Sequence, residues 1–147
     1  MTMNQEPVEF KIVHDWDSGD IIDLYRSAGW WEEYYDPRGI HPLITGSFIF
    51  MVGISIRTGR AVAMGRILSD GVQTGYIQDL CVLPSYQGMQ IGTNLLAALI
   101  LAGLKAGLSS LHLVAEPGTT PFYEKTGFIS QKEMIFLTRT PGGYNET

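Results

Sequence analysis

The stretch that most limits how this chain can fold runs from Gly75 to Lys105. Gly75 to Leu83 is apolar at nearly every position except Gln78 and Asp79, and a strand apolar on both faces belongs in the middle of a sheet. Pro84 ends it, Gln87 to Gly92 supply a glycine-bearing turn, and Thr93 to Lys105 read as a long apolar helix closed by Gly107. A central strand needs neighbours on both edges, and the flanking sequence provides them. Phe48, Phe50, Val52, Ile54 and Ile56 alternate as in a strand, and Thr58-Gly59 turns the chain into a second strand, Ala61 to Leu68. Asp70-Gly71 then marks the turn into the central strand.

Upstream, Val8 to Val13 predicts a short strand, and Asp15 to Ser18 cap a helix carrying Ile21, Ile22, Leu24, Tyr25 and Ala28 up to Gly29. Pro37, Gly39 and Pro42 permit only short helical turns after it. Downstream, the pattern predicts a short buried strand Ser110 to Ala115, a short helix Pro121 to Thr126 stopped by Gly127, and a last strand Glu133 to Thr138, with fraying from Pro141. This order specifies an α/β fold: a mixed, mostly antiparallel central sheet with helices on both faces. A length of 147 residues fits one domain, 1–147.

The strand, glycine turn and helix order directs unpaired N–H groups and the positive end of a helix dipole at one point, where a pyrophosphate can sit. Gln87-Gly88-Met89-Gln90-Ile91-Gly92-Thr93 occupies that place. It lacks the Lys-Ser/Thr of a P-loop and the GxGxxG of a dinucleotide site, which leaves another phosphate-bearing ligand. Ten Lys plus Arg against fifteen Asp plus Glu give a net charge of −5, and no basic stripe exists for a nucleic-acid backbone. No apolar stretch is long enough to span a membrane, and no export signal is read at the start. One cysteine, Cys81, excludes an internal disulfide, and His14, His41 and His112 share no metal-ligand spacing. Those features predict a cytoplasmic protein that uses no metal.

Three segments in order resemble the GCN5-related N-acetyltransferase (GNAT) superfamily: Tyr76 to Leu83 with its Pro84 exit, the Gln87 to Gly92 turn, and Pro121-Phe122-Tyr123-Glu124-Lys125-Thr126-Gly127-Phe128. The resemblance spans roughly Phe48 to Phe136. It implies acetyl-CoA as co-substrate, its pyrophosphate on Gln87, Gly88, Met89, Gln90, Ile91, Gly92 and Thr93, and its pantetheine arm paired with the backbone of Leu80, Cys81 and Val82. A backbone N–H in that stretch would polarise the thioester carbonyl. Two departures stand out. Gln90 replaces the first glycine of the signature, where a side chain can crowd the pyrophosphate or reshape the loop, but members resembling the glucosamine-phosphate acetyltransferase branch carry Gln there, so it is expected to be tolerated. Glu116 replaces an asparagine, an acid that would repel phosphates if it pointed inward.

The same resemblance makes Tyr123 the donor of a proton to the departing thiolate. For the base, the sequence nominates Asp79, a polar residue in a strand that otherwise reads as buried. Adjacent strand residues face opposite ways, so Gln78 and Asp79 both line an acceptor cavity only if a bulge re-aims one. Cys81 reads as a small buried hydrophobe rather than a nucleophile. Trp30, Trp31, Tyr34 and Tyr35 fall where relatives place a mobile region over the acceptor, and would suit an aromatic or amphipathic amine. The expected reaction is direct transfer of acetyl to a primary amine of a small molecule, by a possible homodimer. The alternatives are an amino-sugar phosphate N-acetyltransferase and a non-catalytic acyl-CoA-binding sensor.

Overall fold

The computed structural model describes residues 6–141; the residues beyond Pro141, where fraying is expected, lie outside it. Five strands form one sheet in sequence order: β1 (Val8–Ile12), β2 (Ile49–Ser55), β3 (Ala61–Leu68), β4 (Thr74–Val82) and β5 (Ser110–His112). The pairings β1–β2, β2–β3 and β3–β4 are antiparallel, and β4–β5 is parallel. The apolar β4 is therefore internal, and the sheet is mixed and mostly antiparallel. The helices are α1 (Ser18–Ser27), α2 (Ile40–Thr45), α3 (Ile91–Lys105) and α4 (Thr120–Glu124), with single 3-10 turns at Pro37–Gly39 and Pro84–Tyr86.

Strand alternation sorts the core onto two faces. Phe50, Val52 and Met64 pack in one cluster with Ile21, Leu24 and Tyr25 of α1 and Ile40 and Ile44 of α2. One residue along β3, Gly65 turns the other way, toward α3: a Cβ there would lie 3.2 Å from Leu99 Cδ2. Gly103 gives α3 a close seat on that face, since its Cβ would lie 3.0 Å from Ile67 Cδ1. Helices thus cover both faces.

Helix α1 is fixed at both ends of its first turns. The Asp17 carboxylate caps it by accepting the Asp20 amide at 3.0 Å. Asp20 ties it to the sheet, accepting Arg60 Nε on Oδ1 and both Trp16 Nε1 and the Ala61 amide on Oδ2, each at 2.9 Å. Burial alone would raise the Asp20 pKa, but the Ala61, Trp16 and Arg60 donors outweigh it and hold the carboxyl below its usual range.

Residues up to Leu113 form one compact unit, and those from Val114 a second. The second unit carries α4 but not the expected strand Glu133 to Thr138, which is irregular. Met134, Ile135, Phe136 and Leu137 are 65 to 83% exposed. Four consecutive apolar residues supply strand propensity, but a strand exists only where its N–H and C=O groups find partners, and here they pair with no neighbouring strand. The strand expected over Ser110 to Ala115 is also shorter. Only Thr74, Gly75 and Tyr76 pair with it, so β5 ends at His112, whose side chain is exposed rather than buried.

Candidate active site

The register of β3 against β4 breaks at one point. Met64 pairs with Cys81 and Arg66 with Gln78, so the single residue Gly65 faces two, Asp79 and Leu80. That is a β-bulge, and Asp79 enters it with a left-handed φ of 60°. Asp is one of the few residues that tolerate this conformation. Gly65 makes the bulge possible from the other side: a Cβ there would come within 2.8 Å of Leu80 Cδ1.

The bulge re-aims Asp79 so that it and Gln78 both reach Arg66. Arg66 Nε donates to Asp79 Oδ2 at 2.8 Å, Nη2 to Gln78 Oε1 at 3.4 Å and Nη1 to Ser47 Oγ at 3.4 Å. Tyr25 Oη, from α1, donates to the same Asp79 Oδ2 at 2.6 Å. Burial, helped by the Asp79 charge, pushes the Tyr25 phenol far above its ordinary value, so it stays a proton donor. The side chains of Arg66 and Asp79 are 15% and 22% exposed. Neither Arg66 nor Tyr25 is nominated by the motifs. A signal for Arg66 exists: it is the one charged residue of its strand, as Asp79 is of the next.

After Asp79 the strand carries Leu80, Cys81 and Val82, all half-buried. Cys81 directs its thiol at the Leu24 carbonyl, 3.6 Å away. Burial and the nearby Asp79 charge push that thiol up to about 12, so it carries no thiolate at neutral pH and is inert as a nucleophile. Gln87 folds back to donate from Nε2 to the Val82 carbonyl at 3.0 Å. Gly88 and Gln90 then take left-handed φ values of 82° and 66°.

Gln90 is the residue that precedes α3, and no side chain caps the helix. The first intrahelical bond shown at this end runs from the Asn94 amide to the Gln90 carbonyl at 3.0 Å. The amides of Ile91, Gly92 and Thr93 belong to the turn that a helix leaves without internal acceptors. From Leu80 to Leu104 there is no charged side chain, so this segment offers an anion dipoles rather than a formal positive charge. The helix starts at Ile91, two residues before the expected Thr93, which places Gly92 inside its first turn. Gln90 adopts the backbone that a glycine would, with its side chain exposed.

Of the aromatic group, Trp30 and Trp31 are half-buried against the α1 core cluster, and Trp30 lies 6.4 Å from Tyr25, centroid to centroid. Tyr34 is 82% exposed and stacks edge-on with Tyr35 at 4.9 Å. In the second unit Tyr123 sits on α4, its ring edge-on to Phe122 and Phe128. Burial, then the charge of Glu116, raises its phenol, so it too holds its proton. Among the described residues no His, Cys, Asp or Glu group is arranged to hold a metal, and no helix is long and apolar enough to cross a membrane.

The sequence profile of the acetyltransferase (GNAT) family matches residues 11–128. Serotonin N-acetyltransferase 2, chloroplastic, of Oryza sativa subsp. japonica is 35% identical over 81 residues, which are 55% of this chain and 40% of that protein. The chain thus spans less than half of that relative. The uncharacterized N-acetyltransferase ycf52 of Porphyra purpurea is 34% identical over 116 residues, 79% of this chain and 67% of that one. Among solved structures, a GNAT family acetyltransferase from Streptococcus pneumoniae superposes with a TM-score of 0.73 at 24% identity, over 91% of this chain and all of that one. An acetyltransferase of Clostridium acetobutylicum solved with acetyl-CoA gives 0.66 at 18% identity, over 90% and 96%. These two likenesses show the fold.

Proposed function

The chain belongs to the GNAT family of acetyltransferases, and from that premise we propose that it transfers the acetyl group of acetyl-CoA directly to a primary amine of a small molecule. The observation that carries this reading is the bulge of β4, which turns the Asp79 carboxylate out of the ladder in the strand that leads, through one turn, to the open amides of α3. A general base and an anion site then stand at two ends of one strand–turn–helix segment. The residues fit the co-substrate: the amides of Gly88 to Thr93 hold the pyrophosphate through backbone dipoles, and the backbone of Leu80, Cys81 and Val82 pairs with the pantetheine arm.

In the proposed reaction Asp79, directly or through water, takes a proton from the cationic amine. The freed lone pair attacks the thioester carbonyl carbon, whose oxygen is stabilised by a backbone N–H beside the bulge. The C–S bond breaks, Tyr123 gives its proton to the thiolate, and the second proton lost by the amine nitrogen restores the Tyr123 phenol. One amide, one thiol and one proton result, with no covalent enzyme intermediate and no step that calls for a metal. Trp30, Trp31, Tyr34 and Gln78 line the acceptor side. We further propose a cytoplasmic homodimer, which sedimentation velocity at two concentrations tests.

Thermal unfolding with acetyl-CoA, CoA and NAD, followed by thiol release with 2-phenylethylamine and glucosamine 6-phosphate, tests the assignment. Either CoA species at a hundred times its Kd adds about 2.7 kcal/mol, and NAD adds nothing. Turnover on glucosamine 6-phosphate alone moves the acceptor to amino-sugar phosphates. Binding without turnover on any amine makes the protein a sensor. In Tyr123→Phe, turnover falls by about 10² to 10⁴ with acetyl-CoA affinity kept, and the loss shrinks with a thioester whose thiol has a low pKa.

A further inference from the structure

Two donors from distant parts of the chain converge on one oxygen of Asp79. Tyr25 Oη and Arg66 Nε both bond Oδ2, at 2.6 and 2.8 Å, while no hydrogen bond among the described residues reaches Oδ1. Sharing one oxygen is not the arrangement that best satisfies an Arg–carboxylate pair, which is the two-bond fork. Arg66 instead spends its remaining N–H groups on Gln78 Oε1 and Ser47 Oγ, both at 3.4 Å. The fork is thus turned by neighbours on β4 and in the segment before β2. The result is a carboxylate fixed in rotation, with one saturated oxygen and one free.

We propose that Tyr25 and Arg66 are positioning residues: by holding Asp79 Oδ2 they reserve Oδ1 for the ammonium group of the acceptor. This rests on the amine-acetyltransferase reading above and assigns the machinery that orients its base. An amine arriving at Oδ1 meets a carboxylate with nowhere to rotate, which shortens the search for the attacking geometry. Tyr25 serves because its phenol cannot compete for a proton. Arg66 serves because its Nε bonds Oδ2 from the β3 side while its other N–H groups are anchored on Gln78 and Ser47. The groups that face the carboxylate are Tyr25 from α1, Arg66 from β3 and the protonated Cys81 from β4, while Gln78 reaches it only through Arg66.

The test uses the full chain loaded with CoA or acetyl-CoA, with 2-phenylethylamine and glucosamine 6-phosphate as probes. Binding of each amine to the CoA complex is measured by calorimetry, and turnover by thiol release, for wild type, Tyr25→Phe, Arg66→Lys and Arg66→Gln, each also in an Asp79→Asn background. The expected result is a drop in kcat/KM for the amine of about tenfold in Tyr25→Phe and a hundredfold in Arg66→Gln, partly restored in Arg66→Lys, with KM for acetyl-CoA unchanged. In the Asp79→Asn background the same substitutions cost nothing more, because their effect passes through Asp79. A merely structural pair would lower the melting temperature and cost the same in both backgrounds, which overturns the proposal. Tyr25→Phe and Arg66→Lys preserve bulk and charge, so they decide the question if Arg66→Gln does not fold. Wild type that binds an amine without turning it over, but loses that binding in Arg66→Gln, sinks the transfer reading and keeps the positioning one. Wild-type turnover with unaffected variants does the reverse, and amines that neither bind nor react sink both.

Discussion

Two carboxylates of this molecule tie α1 to the sheet, Asp20 carried by the helix and Asp79 bonded from it by Tyr25, and they are used in opposite ways. Asp20, with 9% of its side chain exposed, has both oxygens occupied: Arg60 on one, the Trp16 indole and the Ala61 amide on the other. Asp79, at 22%, has only Oδ2 occupied among the described residues. A buried acceptor with both its oxygens bonded has finished its work when the chain folds. One left half answered in a partly open place still has bonding capacity to offer a ligand. The contrast is between a carboxylate that anchors a helix and one that the fold holds ready.

The largest effect separates the two. Asp79→Asn lowers kcat/KM for the amine by about 10² to 10⁴, measured per folded molecule, while acetyl-CoA still raises the melting temperature. Asp20→Asn leaves turnover per folded molecule unchanged but costs roughly 1 to 3 kcal/mol of stability, since the Ala61 amide, the Trp16 indole and Arg60 all lose part of their acceptor. Urea unfolding at fixed pH reads that cost. Loss of turnover in Asp20→Asn without loss of stability breaks the comparison.

The pH dependence of that stability sharpens it. The folded-state pKa of Asp20 lies below its ordinary 3.8, so its charge contributes fully above that value and the contribution is lost as pH falls through the folded one. The stability gap between wild type and Asp20→Asn is therefore constant from pH 8 to pH 5 and narrows below about pH 4. A gap that widens on acidification would reverse the assigned sign.

These two carboxylates also show what the sequence can and cannot tell. The candidate Asp79 stands out because a lone charge in an apolar strand is conspicuous, and the turn before α3 because strand, glycine turn and helix are neighbours in the chain. The partners of Asp79 lie 13 and 54 residues away in Arg66 and Tyr25. Which side chains meet across β3 and β4 depends on register, and register depends on a bulge that only Gly65, a glycine inside a strand, hints at. The reverse failure occurs at Met134 to Leu137. There the local pattern is right for a strand, but pairing is a long-range property and the segment is irregular.

The smallest effect concerns backbone rather than charge, and it compares Asp79 with Gln90. These are the two non-glycine residues of positive φ among those described, at 60° and 66°. A left-handed conformation costs an ordinary residue about 1 to 2 kcal/mol relative to its usual basins, so each must be held in place by something. At Asp79 the holder is visible: the Tyr25 and Arg66 bonds and the strand ladder on either side. At Gln90 no bond from its own side chain caps the helix, and the side chain is exposed, so the strain is carried by the start of α3. Glycine removes that strain at Gln90 but brings a more flexible unfolded chain, which takes back part of the gain. Gln90→Gly should therefore stabilise the protein by up to about 1 kcal/mol, a rise of a few degrees in melting temperature. Because the loop already has the glycine shape, affinity for CoA and for a phosphate-free pantetheine thioester should both stay within a few-fold of wild type. Tightening of CoA alone would show that the glutamine side chain does crowd the pyrophosphate. A lower melting temperature would mean that Gln90, like Asp79, is held by its side chain, and the difference drawn between the two positions would disappear.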